Sequence, residues 1–537
     1  SGSRRAPASR DFAAGILRSR IARPTMQLSR LVETSTQVAA TRSRLKKTAL
    51  LSALLREAEG HEVRLAVDYL SGSLPQGRIG LGPALLRDIT ASVESSAVAS
   101  LSLQAVNGSF QQVAETVGAG SRQRRIDILS ELFRAATPEE QAFLCRLVLG
   151  ELRQGALEGV LIEGIAEASS LPSDAIRRAV MLAGSASPVA EAALTEGEGG
   201  LEQFRLVPLS PVRPMLAQPA EGIAEALQEL GQASLEYKLD GARVQVHRVG
   251  GDVRIYTRAL NDVTESLPEI VEAALALPVE SLILDGEAIA LRADGRPLPF
   301  QVTMRRFGRK IDVDALRDSL PMSVFYFDAL HWDGTDLIDL PLDQRLAHIG
   351  GGIDDAQQVP RLVTDVDSDA SRFLVGALEK GHEGIMAKSL VSPYAAGNRG
   401  AGWLKIKQAH TLDLVVLAAE WGSGRRKGWL SNLHLGARDP ATGGFVMLGK
   451  TFKGLTDKVL KWQTEALLER ELGREDHIVH VRPELVVEIA VNDIQASSQY
   501  PGGMALRFAR VKRYRDDKTP AEADTVDAVR TLFNATQ

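Results

Sequence analysis

The sequence predicts a multidomain α+β protein: an all-helical amino-terminal domain, a sheet-rich α+β middle domain and a small β-barrel at the carboxyl end. Three observations carry that reading. Apolar residues recur at helical spacing from about Met26 to Leu209, the period drops to two after "PLSPVRPML" at 208–216, and strand-like runs with a single amphipathic helix fill the stretch from about Ala409. At 537 residues the chain is also too long for one hydrophobic core, so two to four domains are expected.

Residues 1–25 open with Ser-Gly-Ser, lack an initiating methionine and are rich in Arg, Ser and Ala, so they read as an upstream extension or expression remnant outside the folded domains. An Arg-rich organelle-targeting segment is the weaker reading, because no apolar secretory core follows. In the helical domain, 26–209, Leu51, Leu54 and Leu55 share one face, and Ile126, Leu129, Leu132 and Phe133 another. Thr137-Pro138-Glu139-Glu140 predicts a helix start, with an N-cap, a proline at the first helical position and a capping-box glutamate. "SGSLPQGRIGLG" at 71–82 and "GELRQGALEG" at 150–159 read as helix-to-helix turns, whose N–H groups could also meet phosphates.

Three prolines in 208–216 end the helical period and place a boundary at 209/210. In 210–409, "LEYKL", "ARVQVHRV", "VRIYTR", "SLILDGEAIAL", "SVFYFDAL", "EGIMAKSL" and "GWLKIKQ" predict short, largely antiparallel strands, with "ESLPEIVEAALAL" as an intervening helix. In 410–537, "LDLVVLAAEW", "FVMLGKTF" and "ELVVEIAV" add strands and "DKVLKWQTEALLERE" a helix, a count that suits a small barrel.

Composition narrows the class. The chain is 44% hydrophobic and 24% charged, as ordinary globular proteins are, and no unbroken apolar stretch is long enough to span a bilayer. A single cysteine, Cys145, excludes an internal disulfide and a cysteine-rich zinc site, fits a reducing cytoplasm, and reads as a buried apolar side chain. The net charge of -5 does not by itself point to nucleic acid. Yet residues 1–50 hold eleven Lys and Arg against Asp11 and Glu33, so a local basic surface is expected.

Strand alternation sorts the chemistry-bearing residues, because residues two apart share a face. Glu236, Lys238 and Asp240 oppose Tyr237 and Leu239; Lys405 and Lys407 oppose Leu404 and Ile406; Arg254, Tyr256 and Arg258 oppose Val253 and Ile255. A solvated sheet face has the same pattern, and for any one strand that is the commoner explanation. The ordered set is more specific: K-L-D-G-A-R at 238–243, T-R at 257–258, D-G-E at 285–287, F-Y-F-D at 325–328, E-G-I-M-A-K at 383–388, W-L-K-I-K at 403–407 and R-x-D-K at 515–518.

In order and spacing this set resembles the covalent nucleotidyltransferases, and within them the ATP-dependent DNA ligases. The resemblance covers nearly the whole chain from Met26, including "ELRQG" and the tail "RFARVKRYRDDKTPAEADT". It is most similar to the bacterial group called DNA ligase B, with a three-domain plan like that of archaeal and eukaryotic replicative ligases. The resemblance implies a helical DNA-binding domain, a nucleotidyltransferase (adenylation) domain and an OB-fold domain. It also implies a monomer that seals nicks in duplex DNA in the cytoplasm, using ATP and Mg2+ (or Mn2+), and leaves recruitment by a sliding clamp open.

Residue by residue, the resemblance implies Lys238 as the adenylated nucleophile and Glu236, Arg243, Arg258, Glu287, Phe327, Arg399, Lys405 and Lys407 as the ATP pocket. Phe327 is expected to stack on adenine and Glu287 to accept from ribose hydroxyls. Glu383 is the first expected metal carboxylate and Glu287 the second, since magnesium takes few carboxylates and keeps waters. Arg515, Asp517 and Lys518 are expected to swing over the nucleotide for self-adenylation. One departure from the family pattern is Ala509 in "RFAR", where many relatives have proline.

A lysine amine that attacks the α-phosphate of ATP forms a phosphoramidate and splits a difficult joining reaction into easier steps. The attacking amine must be free, whereas an ordinary lysine titrates near ~10.4. A crowded positive site is therefore expected, with Arg258, Lys405, Lys407 and magnesium opposing Glu236 and Asp240 and neutralising the transferred phosphate.

"GSGRRKGWLSN" at 422–432 suits DNA phosphates and equally a solvated hairpin. "GFVMLGKT" at 444–451 satisfies the P-loop pattern letter for letter, but its four apolar intervening residues predict a strand, with Lys450 upon it. Capping enzymes and RNA ligases share the lysine motif, yet the long helical domain resembles the clamp of DNA ligases. A non-catalytic DNA-binding protein would not need Lys238.

Overall fold

The computed structural model describes residues 25–152, 158–307, 313–396, 402–407 and 410–535. Two compact units result, one ending at Arg205 and the other beginning at Leu206.

The first unit is built from helices, from Leu28–Ala40 to Glu198–Leu201 among the described residues. Leu51, Leu54 and Leu55 are fully buried, as are Leu129 and Phe133, so the two predicted apolar faces meet the core. Helix Arg44–Glu57 crosses Glu158–Ser169 closely enough that a Cβ on Gly164 would lie 2.9 Å from Leu51 Cβ. Thr137 and Glu140 form the expected capping box before Pro138–Val148. Cys145 is half-buried at the margin of the core rather than inside it, because its helix turns that edge toward solvent.

The second unit begins with two helix-backed sheets. Its strands are β1 (Gln218–Pro219), β2 (Ala233–Tyr237), β3 (Ala242–Val249), β4 (Asp252–Thr257), β5 (Ser281–Ala290), β6 (Met322–Trp332), β7 (Thr335–Asp336), β8 (Arg361–Thr364), β9 (Gly384–Ser389) and β10 (Trp403–Lys407). One sheet runs β1-β10-β9-β2-β8 and the other β4-β3-β5-β6-β7. Every pair is antiparallel except β1 with β10.

Leu235, Tyr237, Ile385, Ala387, Leu404 and Ile406 bury one face of the first sheet beneath helices Ile223–Leu230 and Asp367–Glu379. Val244, Val246, Leu282 and Leu284 do the same in the second sheet beneath Pro268–Ala276 and Leu342–Gly352. The opposite, polar faces meet, because Lys388 of β9 and Arg243 of β3 both stand over the rings of Phe327 and Trp403. Behind β6, Asp328 and Arg345 form a two-bond ion pair with no solvent exposure, which holds helix Leu342–Gly352 in register.

The proline-rich segment is strapped along β3 by side chains. His247 Nδ1 accepts from the Leu209 N–H at 3.1 Å, Tyr256 donates to the Leu209 carbonyl at 2.5 Å, and Gln245 Oε1 accepts from Val212 N–H at 2.9 Å. Burial pushes His247 down to about 3, so the ring is neutral, accepting at Nδ1 and donating from Nε2 to Gln245. Tyr256 keeps the face it shares with Arg254, opposite the core residues Val253 and Ile255, but the strap covers that face here and buries the ring.

Beyond β10 lie β11 (His410–Trp421), β12 (Leu430–Arg438), β13 (Phe445–Thr451), β14 (Glu471–Glu475), β15 (Ile478–Val481), β16 (Val486–Val491), β17 (Asp493–Ala496), β18 (Met504–Arg507) and β19 (Arg510–Tyr514). They form a path β13-β12-β11-β15-β14, a β16–β19 branch from β11, and a separate β17–β18 hairpin around one apolar core. Strand pairing does not close this path into a barrel among the described residues. The P-loop look-alike is strand β13, with Lys450 Nζ 2.5 Å from Glu420 Oε1. No helix among the described residues is long and apolar enough to cross a membrane.

Candidate active site

Lys238 stands where the chain leaves the first sheet for the second. Its N–H donates to the Gly384 carbonyl at 2.9 Å and its carbonyl accepts from Glu383 N–H at 3.1 Å, so the β2–β9 ladder continues one residue past the strand. The turn after it requires glycine for space: a Cβ on Gly241 would sit 2.5 Å from the Ala288 carbonyl oxygen of β5. Gly384 is needed for conformation as well, with φ of 139° and only 2.2 Å between the position a Cβ would take and the Ile406 carbonyl oxygen.

Register then lays three rows of side chains across the polar face. Lys388 pairs with Ser234 and Trp403, Met386 with Glu236 and Lys405, and Gly384 with Lys407 beside Lys238. The first two rows make one end of the cleft. Glu236 is buried with Lys388 Nζ at 2.5 Å from Oε2 and Arg361 Nε at 2.9 Å from Oε1. Lys388, itself fully enclosed, also reaches the Phe327 carbonyl at 3.3 Å and lies 4.3 Å and 4.2 Å from the Phe327 and Trp403 ring centres. Burial lowers the Lys388 ammonium, while Glu236 opposes the shift.

The third row is the reactive end. Glu383 is ion-paired to Lys238 and, at 2.6 Å, to Lys407. Burial would raise this carboxyl, but the two lysines hold it down at about 2. Burial alone would lower the Lys238 amine; Glu383, Glu287 and Asp240 more than compensate and raise it. Lys407 moves the other way, lowered by burial and by the Lys238 charge. Glu287, opposite Arg243 on β5, is pushed up to about 7 by burial, with Lys238 and Arg243 opposing.

The surroundings of Lys238 are therefore acidic, not the crowded positive site the sequence suggested. Lys407 is the expected cation that reaches Glu383; Lys405 is one row away and Arg258 lies on the exposed turn after β4. Arg258 shares a small cleft with Arg243, Thr257 and Asp285. Arg243 is held by Asp285 at 2.9 and 2.5 Å, by the Met215 carbonyl at 2.6 Å and by Tyr394 at 3.2 Å, with its guanidinium 5.4 Å from the Phe327 ring centre. Arg399 lies outside the described residues.

A family model described as ATP dependent DNA ligase domain matches residues 214–407, one for the ATP dependent DNA ligase C terminal region matches 426–518, and one for the DNA ligase N terminus matches 91–166. The "Probable DNA ligase" of Anaeromyxobacter sp. (strain Fw109-5) is 59% identical over 508 residues, 94% of this chain and 98% of that protein. The chain belongs to the ATP-dependent DNA ligase family. A "Probable DNA ligase" of Mycobacterium sp. (strain KMS) is 55% identical over 95% of this chain and 99% of its own length. The solved structure called Pmar-Lig_PreS3 aligns with a TM-score of 0.59 at 19% identity, over 90% of this chain and 99% of that one, and so shares its fold.

The remaining motif of the ligase lies elsewhere. Arg515 donates to both oxygens of Asp413 at 3.0 and 2.9 Å and to Asp517 at 2.8 and 2.7 Å; Lys518 Nζ is 2.6 Å from Asp413. What approaches the Lys238 turn from this part of the chain is Arg507 of β18, 3.2 Å from Asp240 and 5.1 Å from the Phe300 ring centre. Sequence reasoning put Lys388 on a polar strand face with Met386 but gave no site role to it, to Trp403 or to Asp285, although each stands inside one of the ordered motifs. It had no signal for Arg361 or Tyr394, which reach the cleft only through strand register and the fold of 389–394.

Proposed function

We propose that this ATP-dependent DNA ligase seals nicks with Lys238 as the residue that carries AMP. The Lys238 amine attacks the α-phosphorus of ATP, a nitrogen–phosphorus bond forms, the bond to pyrophosphate breaks and the amine proton is lost. An oxygen of the 5'-phosphate at the nick then takes the adenylyl group, returning the amine. The 3'-hydroxyl finally attacks that phosphate and AMP leaves.

The observation that carries the assignment is the placement of Lys238 at the junction of two facing polar sheets, with Glu383 and Lys407 at one end and the Glu236, Lys388, Phe327 and Trp403 cluster at the other. A triphosphate fits the first end and a purine the second. Phe327 and Met386 supply flat and apolar surfaces for the base, Glu236 an acceptor, and Lys405, Lys407 and Arg258 the cations for phosphates.

Glu383 and Glu287 suit magnesium, which binds through one or two carboxylates together with substrate phosphates. Glu383 and Glu287 would hold the ion, which would supply positive charge to the phosphates. With Glu383 so engaged, its carboxylate would hold the Lys238 proton less firmly, and Lys407 would repel that proton. Residues 410–537 would be the OB-fold domain, which bears Arg515, Asp517 and Lys518 just past β19, and 26–209 the DNA-binding domain.

Incubation with α-labelled ATP and magnesium should give an acid-labile lysyl-AMP adduct, absent from Lys238→Ala, and the charged protein should seal a nicked duplex. An adduct that persists in Lys238→Ala would reassign the nucleophile, and sealing with NAD but not ATP would overturn the cofactor.

A further inference from the structure

Arg361 is a side chain beside Glu236 that the sequence motifs leave without a role. It sits on β8, the edge strand of the first sheet, directly across from Glu236 in register. Its Nε holds Glu236 Oε1 at 2.9 Å, while Lys388 holds Oε2 at 2.5 Å and Ser234 lies 3.4 Å from Oε1. The guanidinium is not spent by these contacts. Arg361 Nη2 is shut off from solvent and has no hydrogen-bond partner among the described residues. Enclosed donors on a charged group are rarely left unmade, so one at a site calls for a partner that the bare protein does not supply.

We infer that Arg361 is a base-specificity residue of the ligase: its Nη2–H donates to a ring nitrogen of adenine next to the 6-amino group, while Glu236 accepts from the amino group itself. The inference rests on the proposed placement of ATP and adds a residue to it. Its chemistry is complementary: a donor and an acceptor sit side by side across one strand pair, and adenine offers an amino donor flanked by ring acceptors. Lys388 and Arg361 each hold one oxygen of the buried Glu236 carboxylate, which fixes its orientation toward the cleft. Met386, the partner of Glu236 on the other side, provides the apolar floor on which the purine lies.

The test compares the wild-type chain and Arg361→Met in lysyl-AMP formation with ATP, 1-deaza-ATP and 7-deaza-ATP at subsaturating nucleotide and fixed magnesium. Wild type is expected to lose about tenfold with one deaza analogue and little with the other, the ordinary worth of one charge-assisted hydrogen bond. Arg361→Met should lose about the same factor with ATP and show no further loss with that analogue. Thermal melting confirms that the variant is folded, and Arg361→Lys, which keeps a charge near Glu236 without the forked donor, should behave like Arg361→Met. If Arg361→Met loses equally with all three nucleotides and keeps the wild-type ratios, Arg361 only positions Glu236 and the inference is overturned. Equal use of all three nucleotides by wild type overturns it too. Absence of any lysyl-AMP in the wild type would instead refute the proposed site.

Discussion

Replacing Glu383 by glutamine should free the Lys238 amine while crippling adenylation. In the structure one carboxylate oxygen serves both lysines, with Lys407 at 2.6 Å. At that separation and an effective dielectric constant of about 20, a unit charge pair attracts by about 6 kcal/mol before desolvation is subtracted. Burial takes back much of this. If about 1.4 kcal/mol survives at Lys238, the free-amine fraction at fixed pH rises about tenfold on removing the carboxylate, and the uncompensated Lys407 adds to the effect. Competitive acylation with a limiting amine reagent in EDTA, from roughly pH 7 to 10, with the Lys238 peptide quantified by mass spectrometry, reads this directly. Labelling in Glu383→Gln should be about tenfold faster than in wild type, yet lysyl-AMP formation with ATP and magnesium should fall. Unchanged or slower labelling of Lys238 would refute the electrostatic account of the site.

Gly384→Ala should destabilise the second unit by about 3 kcal/mol or more, because its methyl meets the Ile406 carbonyl oxygen at 2.2 Å and φ stands at 139°; a denaturation midpoint close to wild type would contradict this. Glu287, raised to about 7, binds its proton more tightly folded than unfolded, so its stabilisation is complete below about pH 4.5 and lost as pH rises through about 7. The stability of wild type relative to Glu287→Gln should therefore fall by about 1–2 kcal/mol between roughly pH 5 and 8, discounted for partial exposure, and a flat difference would reassign the shift. Arg507→Ala removes the 3.2 Å contact with Asp240 in an arrangement that keeps Arg515 and Lys518 on Asp413. It should slow nick sealing about fivefold and leave lysyl-AMP formation within about twofold; equal loss in both assays would argue that the contact serves charging.

Much of this was legible in the residues. Alternation placed Glu236 and Lys238 on one face and Tyr237 and Leu239 on the other, because the apolar alternates all pack into one core and leave the polar ones to the opposite face. The capping box at Thr137 and the strand under the P-loop look-alike were local matters, fixed by a few neighbouring residues. The electrostatics of Lys238 were not local. Glu287 on β5 and Glu383 just before β9 lie 49 and 145 positions away in sequence, and their net effect depends on distances that motif order does not contain. Arg361 was silent for the same reason, since only the β2–β8 register puts it across from Glu236. At Gly241 the approach of the Ala288 carbonyl excludes a side chain, a constraint that motif order does not contain.

The Asp413 carboxylate accepts three hydrogen bonds from Arg515 and Lys518, and its own backbone is fixed by Asp524 through bonds of 2.7 and 2.9 Å. Any anion that recruits these two cations has to outbid a rigid acceptor already in place. If the pair serves the triphosphate as proposed, Asp413 is the acceptor to which both cations would return when pyrophosphate leaves, and the fold would carry its own reset.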